Sequence, residues 1–97
     1  MTLATSIIGQ GPRVVLLHGF TQNGRCWGDI PARLAETHEV VLVDAPGHGE
    51  SSDDDADLWQ AAALVAEVGE RATYVGYSMG GRMALHLALQ SPDLVVV

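Results

Sequence analysis

The residues best suited to chemistry in this chain form one short run, Gly76-Tyr77-Ser78-Met79-Gly80-Gly81. A serine set between glycines in a G-x-S-x-G pattern acts as a nucleophile when it sits on a sharp turn from a strand into a helix. The flanking residues supply that context. Ala72-Thr73-Tyr74-Val75 is rich in strand formers, and Arg82 to Gln90 is a helix-forming run halted by Pro92. Gly76, Gly80 and Gly81 are small enough to let the backbone fold tightly around the serine. A serine hydroxyl is weak at its own pKa, so it needs a base beside it and donors for the oxyanion of the transition state. One donor is expected from the backbone N–H of Met79, the residue after the nucleophile.

Other polar residues near this run invite weaker assignments. Arg82 lies four residues past Ser78, ~6 Å along a helix axis. A guanidinium there could hold a substrate carboxylate bidentately, or could form a surface ion pair or a packing contact. Tyr77 beside the nucleophile is a candidate for substrate contact or for plain packing. His86 is ~12 Å along the same helix, too far for a base hydrogen-bonded to Ser78, and reads as a packing residue. His38 reads as a loop residue and His48 as part of a turn. Asp44 ends an apolar strand, where its carboxylate is expected to stabilise the following turn. Cys26 has no neighbouring group to activate it. Trp27 and Trp59 are expected in the core or in a pocket wall. The four histidines show no metal-ligand spacing. No cofactor or metal is expected.

The elements that must position these residues follow from the apolar pattern. Arg13–Leu17, Glu39–Val43 and Thr73–Gly76 are short apolar or β-rich runs, the mark of strands buried on both faces of a parallel sheet. Residues 3–8 are a candidate N-terminal strand, and 94–97 read as the start of another. Helical patterns fall between, over Trp27–Glu36 and Asp57–Glu70, the second with apolar positions at Leu58, Ala61, Ala62, Val65 and Val68. Strands alternating with helices predict βαβ units, a parallel sheet and helices on both faces. Ligands in such a sheet bind outside the carboxyl ends of the strands. His18-Gly19-Phe20, Asp44-Ala45-Pro46-Gly47-His48-Gly49 and the Ser78 run all fall there. The run Asp53-Asp54-Asp55-Ala56-Asp57 lacks the glycine and glutamate of a calcium loop and reads as a helix start, where carboxylates complement the dipole.

Composition narrows the classes of function. The chain has 97 residues, 47% of them hydrophobic, and a net charge of −7, enough for one small domain with a core. Its five cationic residues, all arginine, are scattered, which argues against nucleic acid and against an anionic membrane surface. A single cysteine and the absence of a basic, apolar leader fit a cytoplasmic location. The expected partner is a small molecule.

Together, His18-Gly19-Phe20, Asp44-Ala45-Pro46-Gly47-His48-Gly49-Glu50-Ser51 and Gly76 to Arg82 resemble the α/β-hydrolase superfamily over roughly residues 12–97. The likeness is to the N-terminal part of a single domain of that fold, truncated after the nucleophile helix. Within the superfamily, Gly76-Tyr77-Ser78 with Gly80-Gly81-Arg82 is most similar to the 2-succinyl-6-hydroxy-2,4-cyclohexadiene-1-carboxylate synthase family of menaquinone biosynthesis. The resemblance implies Ser78 as nucleophile, a second oxyanion donor from the N–H of Phe20, and His18 and Gly19 as shapers of that loop. It also implies that Arg82 binds a carboxylate-bearing substrate. In this fold an acid and then a histidine follow the serine. Only Asp93 and His86 do so here, and neither fits, so the chain is expected to be a fragment of a longer enzyme and inactive by itself. Three readings of function follow: a pyruvate-eliminating lyase of the synthase type, a general carboxylic-ester hydrolase, and a non-catalytic remnant.

Overall fold

The computed structural model describes residues 3–18, 27–44 and 57–96. In chain order the elements are β1 (Thr5–Ile8), β2 (Arg13–Leu17), α1 (Ile30–Leu34), β3 (Glu39–Val43), α2 (Leu58–Gly69), β4 (Thr73–Gly76) and α3 (Met79–Gln90), then a 3₁₀ turn over Pro92–Leu94. Four strands form one sheet in the order β1-β3-β2-β4. β2 pairs in parallel with β3 and with β4, as the apolar runs predict.

The N-terminal strand departs from the all-parallel expectation. β1 runs antiparallel to β3, with Thr5 opposite Val43 and Ile8 opposite Val40. The reason is connection length: only residues 9–12 separate β1 from β2, far short of the dozen or so that a parallel crossover needs. The sheet is therefore mixed. The final strand expected over 94–97 is reduced, among the described residues, to a single parallel bridge between Ala72 and Val95. Pro92 has no N–H, and the chain first takes the 3₁₀ turn.

Alternation along the strands divides the core in two. Val15, Leu17, Val41 and Val43 pack with Ala61, Ala62 and Val65 of α2 and with Met83 and Leu87 of α3. Val14, Leu16 and Val40 point to the opposite face, where Trp27, Leu34 and Ala35 cover them. Helices thus lie on both faces, as expected. The α1-side face of β4 is less covered, and Val75 there is 41% exposed.

Each helix is set by local chemistry. α1 is shorter than Trp27–Glu36 because Pro31 confines it to start beside the proline. α2 matches its expected span closely. Asp57 accepts a hydrogen bond from the Gln60 backbone N–H at 2.8 Å, and the Gln60 side chain accepts one from the Asp57 N–H at 2.9 Å. This reciprocal cap satisfies donors that a helix start leaves orphaned. No helix among the described residues is long and apolar enough to cross a membrane.

Candidate active site

The parallel register brings the ends of three strands to one edge. Leu17 lies opposite both Val43 and Gly76. The residues that follow, His18, Asp44 and the Tyr77-Ser78 turn, therefore leave the sheet together. Gly19, Phe20, Cys26 and the 45–56 segment, with His48 and the first three aspartates of its acidic run, lie outside the described residues.

Ser78 occupies a backbone conformation that few side chains adopt, φ 55° and ψ −111°. Such a residue costs of order 1–3 kcal/mol and persists only where its surroundings enforce it. The enforcement is visible on both sides of the serine. The Tyr77 N–H donates to the Leu17 carbonyl at 3.0 Å, and the Gly80 N–H donates to the Tyr77 carbonyl at 3.0 Å. A Cβ on Gly80 would fall on the Leu17 carbonyl and 2.7 Å from the His18 oxygen, and a Cβ on Gly76 would fall on the Gly80–Gly81 peptide. Gly81 differs: a Cβ there would meet the Gly76 oxygen at 3.6 Å, an ordinary contact. Of the three glycines expected to shape the turn, only Gly76 and Gly80 are sterically obligatory.

Ser78 takes the N-cap position of α3, yet its hydroxyl makes no capping bond. Serine at that position usually accepts from the helix start. Here the turn aims it elsewhere, and the side chain is exposed. Met79 is the first residue of α3, where a backbone N–H has no intrahelical partner and the helix dipole favours negative charge. An oxyanion forming on a carbonyl attacked by Ser78 would meet that end of the helix.

A cavity of about 520 Å³ opens beside the serine, lined among the described residues by Leu58, Ser78, Met79 and Arg82. Arg82 is one helical turn on, its N–H bonded to the Ser78 carbonyl at 3.2 Å, and its side chain is exposed. Candidate nucleophile, candidate oxyanion donor and cation therefore share one space. Tyr77 is 61% exposed and is not among the described residues that line this cavity. Leu58 is the member that sequence reasoning took for a core position alone. Its signal was available in the topology, because α2 is the element that follows β3 in the chain and packs beside α3 on the sheet.

The remaining histidines of the described segments are engaged elsewhere. His18 is 1% exposed, and its backbone forms part of the bed on which Gly80 rests. His86 sets its Nδ1 2.8 Å from the Arg82 carbonyl and packs edge-on against Trp59 with centroids 4.4 Å apart. It is a packing residue, as its spacing from Ser78 predicts. Trp59 is not core; it is about half exposed on the outer side of α2. Trp27 packs on the α1-side core. The Asp44 N–H bonds to the Ala4 carbonyl at 3.0 Å, tying the end of β3 to the start of β1.

The strained serine turn at the end of a parallel strand, in a sheet with helices on both faces, defines the α/β-hydrolase class. The chain belongs to the alpha/beta hydrolase family, whose family pattern it matches over residues 14–97. It is 43% identical over 96 residues to the pimeloyl-[acyl-carrier protein] methyl ester esterase of Vibrio atlanticus, covering 97% of this chain and 37% of that protein. It is 41% identical over 90 residues to the enzyme of the same name from Xanthomonas campestris pv. campestris, covering 91% of this chain and 36% of the relative. Among solved structures, Est816, an N-acyl homoserine lactone degrading enzyme, superposes with a TM-score of 0.88 at 31% identity, over 97% of this chain and 39% of that one. The chain thus spans little more than a third of the length of these proteins. The two curated relatives are named as esterases, which favours the ester-hydrolase expectation over the menaquinone-synthase one.

Proposed function

We propose that this chain supplies the nucleophile and oxyanion side of a carboxylic-ester hydrolase. The observation that carries the reading is the Ser78 backbone at φ 55° and ψ −111°, held at the head of α3 with its hydroxyl released from capping. In this reading Ser78 Oγ attacks the ester carbonyl carbon, and the Met79 N–H donates to the oxygen as it gains charge. The resemblance assigns the second donor to Phe20. Collapse of the tetrahedral intermediate expels the alcohol and leaves an acyl group on Ser78, which water then removes. His86 is not the base that takes the serine proton, because it is committed to Trp59 and the Arg82 carbonyl. The esterase names of the relatives support this choice of substrate class.

Hydrolysis of simple methyl and p-nitrophenyl esters by a protein carrying this chain tests the reading. Ser78→Ala should bring turnover to background, and retained turnover would overturn it. The 97 residues alone are expected to turn over no ester; activity that vanishes in Ser78→Ala would show that a base is present within them.

The position of Arg82 in the cavity favours a second reading, a synthase-type lyase acting on a carboxylate-bearing substrate. The two readings divide on Arg82→Ala. If the guanidinium clamps a carboxylate, kcat/KM for acidic substrates should fall by about 10- to 150-fold, the equivalent of 1.5–3 kcal/mol for a hydrogen bond to a charged group. An ordinary esterase acting on neutral esters should lose little.

A further inference from the structure

The two methionines of α3 lie one helical turn apart in different surroundings. Met83 is 1% exposed and belongs to the buried cluster between the sheet and the two helices. Met79 is part-exposed: it packs against the same cluster but also lines the cavity with Leu58, Ser78 and Arg82. Residues four apart share a helix face, so position along the axis makes the difference. Met83 lies over the sheet, and Met79 is the first residue of the helix, at the sheet edge.

A thioether carries its lone pair at every pH, so reaction with an oxidant requires access and no activating base. The cavity, about 520 Å³, is large beside the ~30 Å³ that one water occupies in the liquid, and a small peroxide fits easily. We propose that Met79 is an oxidation site, where peroxide converts the thioether to the sulfoxide and lowers turnover at Ser78. The Met79 sulfur attacks one peroxide oxygen, the O–O bond breaks and an S–O bond forms. The sulfur loses two electrons, and the other oxygen departs as water with both peroxide protons. The sulfoxide is polar and accepts hydrogen bonds. It would stand in the lining beside the Arg82 guanidinium, which only donates, and at the helix end that is to receive an oxyanion. The oxidation rests on exposure alone; its effect on turnover rests on the reading of Ser78 as the nucleophile of an ester hydrolase.

Cleavage after arginine separates the two methionines, because Arg82 lies between them: Met79 falls in peptide 72–82 and Met83 in peptide 83–97. The folded chain is exposed briefly to hydrogen peroxide, digested and weighed by mass spectrometry. Peptide 72–82 should gain one oxygen at least ~10-fold faster than 83–97, whose methionine reacts only when the fold opens. In urea the two rates should converge. Equal rates in the folded chain would overturn the proposal. The effect is read in a protein carrying this chain with Cys26→Ser, so that no thiol reacts at that position. Ester turnover should fall in proportion to the Met79 oxidised and return on treatment with methionine sulfoxide reductases. Met79→Leu, measured against its own untreated activity, should lose nothing to peroxide. Turnover that survives full oxidation of Met79, or an equal loss in Met79→Leu, would also overturn the proposal. Failure of the hydrolase reading looks different: turnover would persist in Ser78→Ala, with the peptide pattern untouched.

Discussion

β4 is bounded by two turns that share an uncommon backbone and differ in everything attached to it. Among the described residues, Glu70 and Ser78 are the only non-glycine residues with positive φ, at 56° and 55°. Glu70 ends α2 ahead of β4, and Ser78 begins α3 after it. At the Glu70 end the polar groups are bonded to one another across β2, α2 and β4. The Tyr74 hydroxyl donates to the Glu70 carbonyl, and Arg13 donates to the Gly69 carbonyl at 3.1 Å. Arg13 also pairs with Glu39 and lies 3.6 Å from the Glu70 carboxylate. At the Ser78 end the backbone is held as firmly, yet the side chain is excused from capping and turned toward a cavity. Strain alone therefore does not mark a functional site. What distinguishes Ser78 is that its constraint is borne by main-chain contacts and glycines, which frees the hydroxyl.

The comparison can be broken most forcefully at Gly80. Gly80→Ala puts a methyl group onto the Leu17 carbonyl and should destabilise the fold by about 3 kcal/mol or more, the upper range for overpacking. Denaturant unfolding reads this directly, and a loss under 1 kcal/mol would mean the Ser78 turn is looser than its contacts show. The Glu70 end has its own test in Arg13→Ala. Loss of hydrogen bonds from a charged, part-buried group should cost about 1.5–3 kcal/mol. An unchanged midpoint would remove Arg13 as the clasp between β2 and α2.

Replacing each strained residue by glycine sharpens the contrast. Ser78→Gly and Glu70→Gly should each raise stability by about 1 kcal/mol, because glycine accepts positive φ without penalty. At Glu70 a surface ion pair worth up to about 1 kcal/mol is lost as well, so the net rise is smaller there. Only Ser78→Gly should abolish ester turnover in a protein carrying this chain. Equal activity in both variants would erase the distinction between the turns.

The Glu70 end also predicts a dependence on alkaline pH. Burial pushes the Tyr74 phenol up from 10.0 to about 12; the nearby Arg13 charge opposes this and Glu70 adds to it. The folded state therefore holds its proton where the unfolded chain has released it. That contribution is intact below pH 10 and is lost as pH rises through about 12. Stability should fall across this window, and Tyr74→Phe should flatten the slope. The chain has no lysine, so few other groups titrate there. The smallest effect is expected at Gly81, where alanine fits in ordinary contact and should stabilise α3 by up to about 1 kcal/mol. A loss comparable to that of Gly80→Ala would mean that both glycines are obligatory.

Much of this arrangement is legible from local pattern. The β2, β3 and β4 runs and the α2 span were readable because strand and helix periodicities are written within a few residues of each other. The turn at Ser78 was readable because it needs glycine at fixed offsets. β1 was readable as a strand but not in its direction or its partner, which depend on how a short connection crosses the sheet.

The sequence alone determined that a serine would stand on a tight strand-to-helix turn at the carboxyl edge of a sheet covered by helices. Apolar period and glycine placement are short-range constraints that hold whatever the rest of the chain does. Only the tertiary structure decided which residues share the serine's cavity. Leu58 and Arg82 are 24 residues apart in the chain and meet because α2 and α3 pack side by side on one face of the sheet. It also decided that Gly80, and not Gly81, rests on the end of β2. These outcomes follow from close packing between elements distant in sequence, where the shape of one surface selects what the other can present.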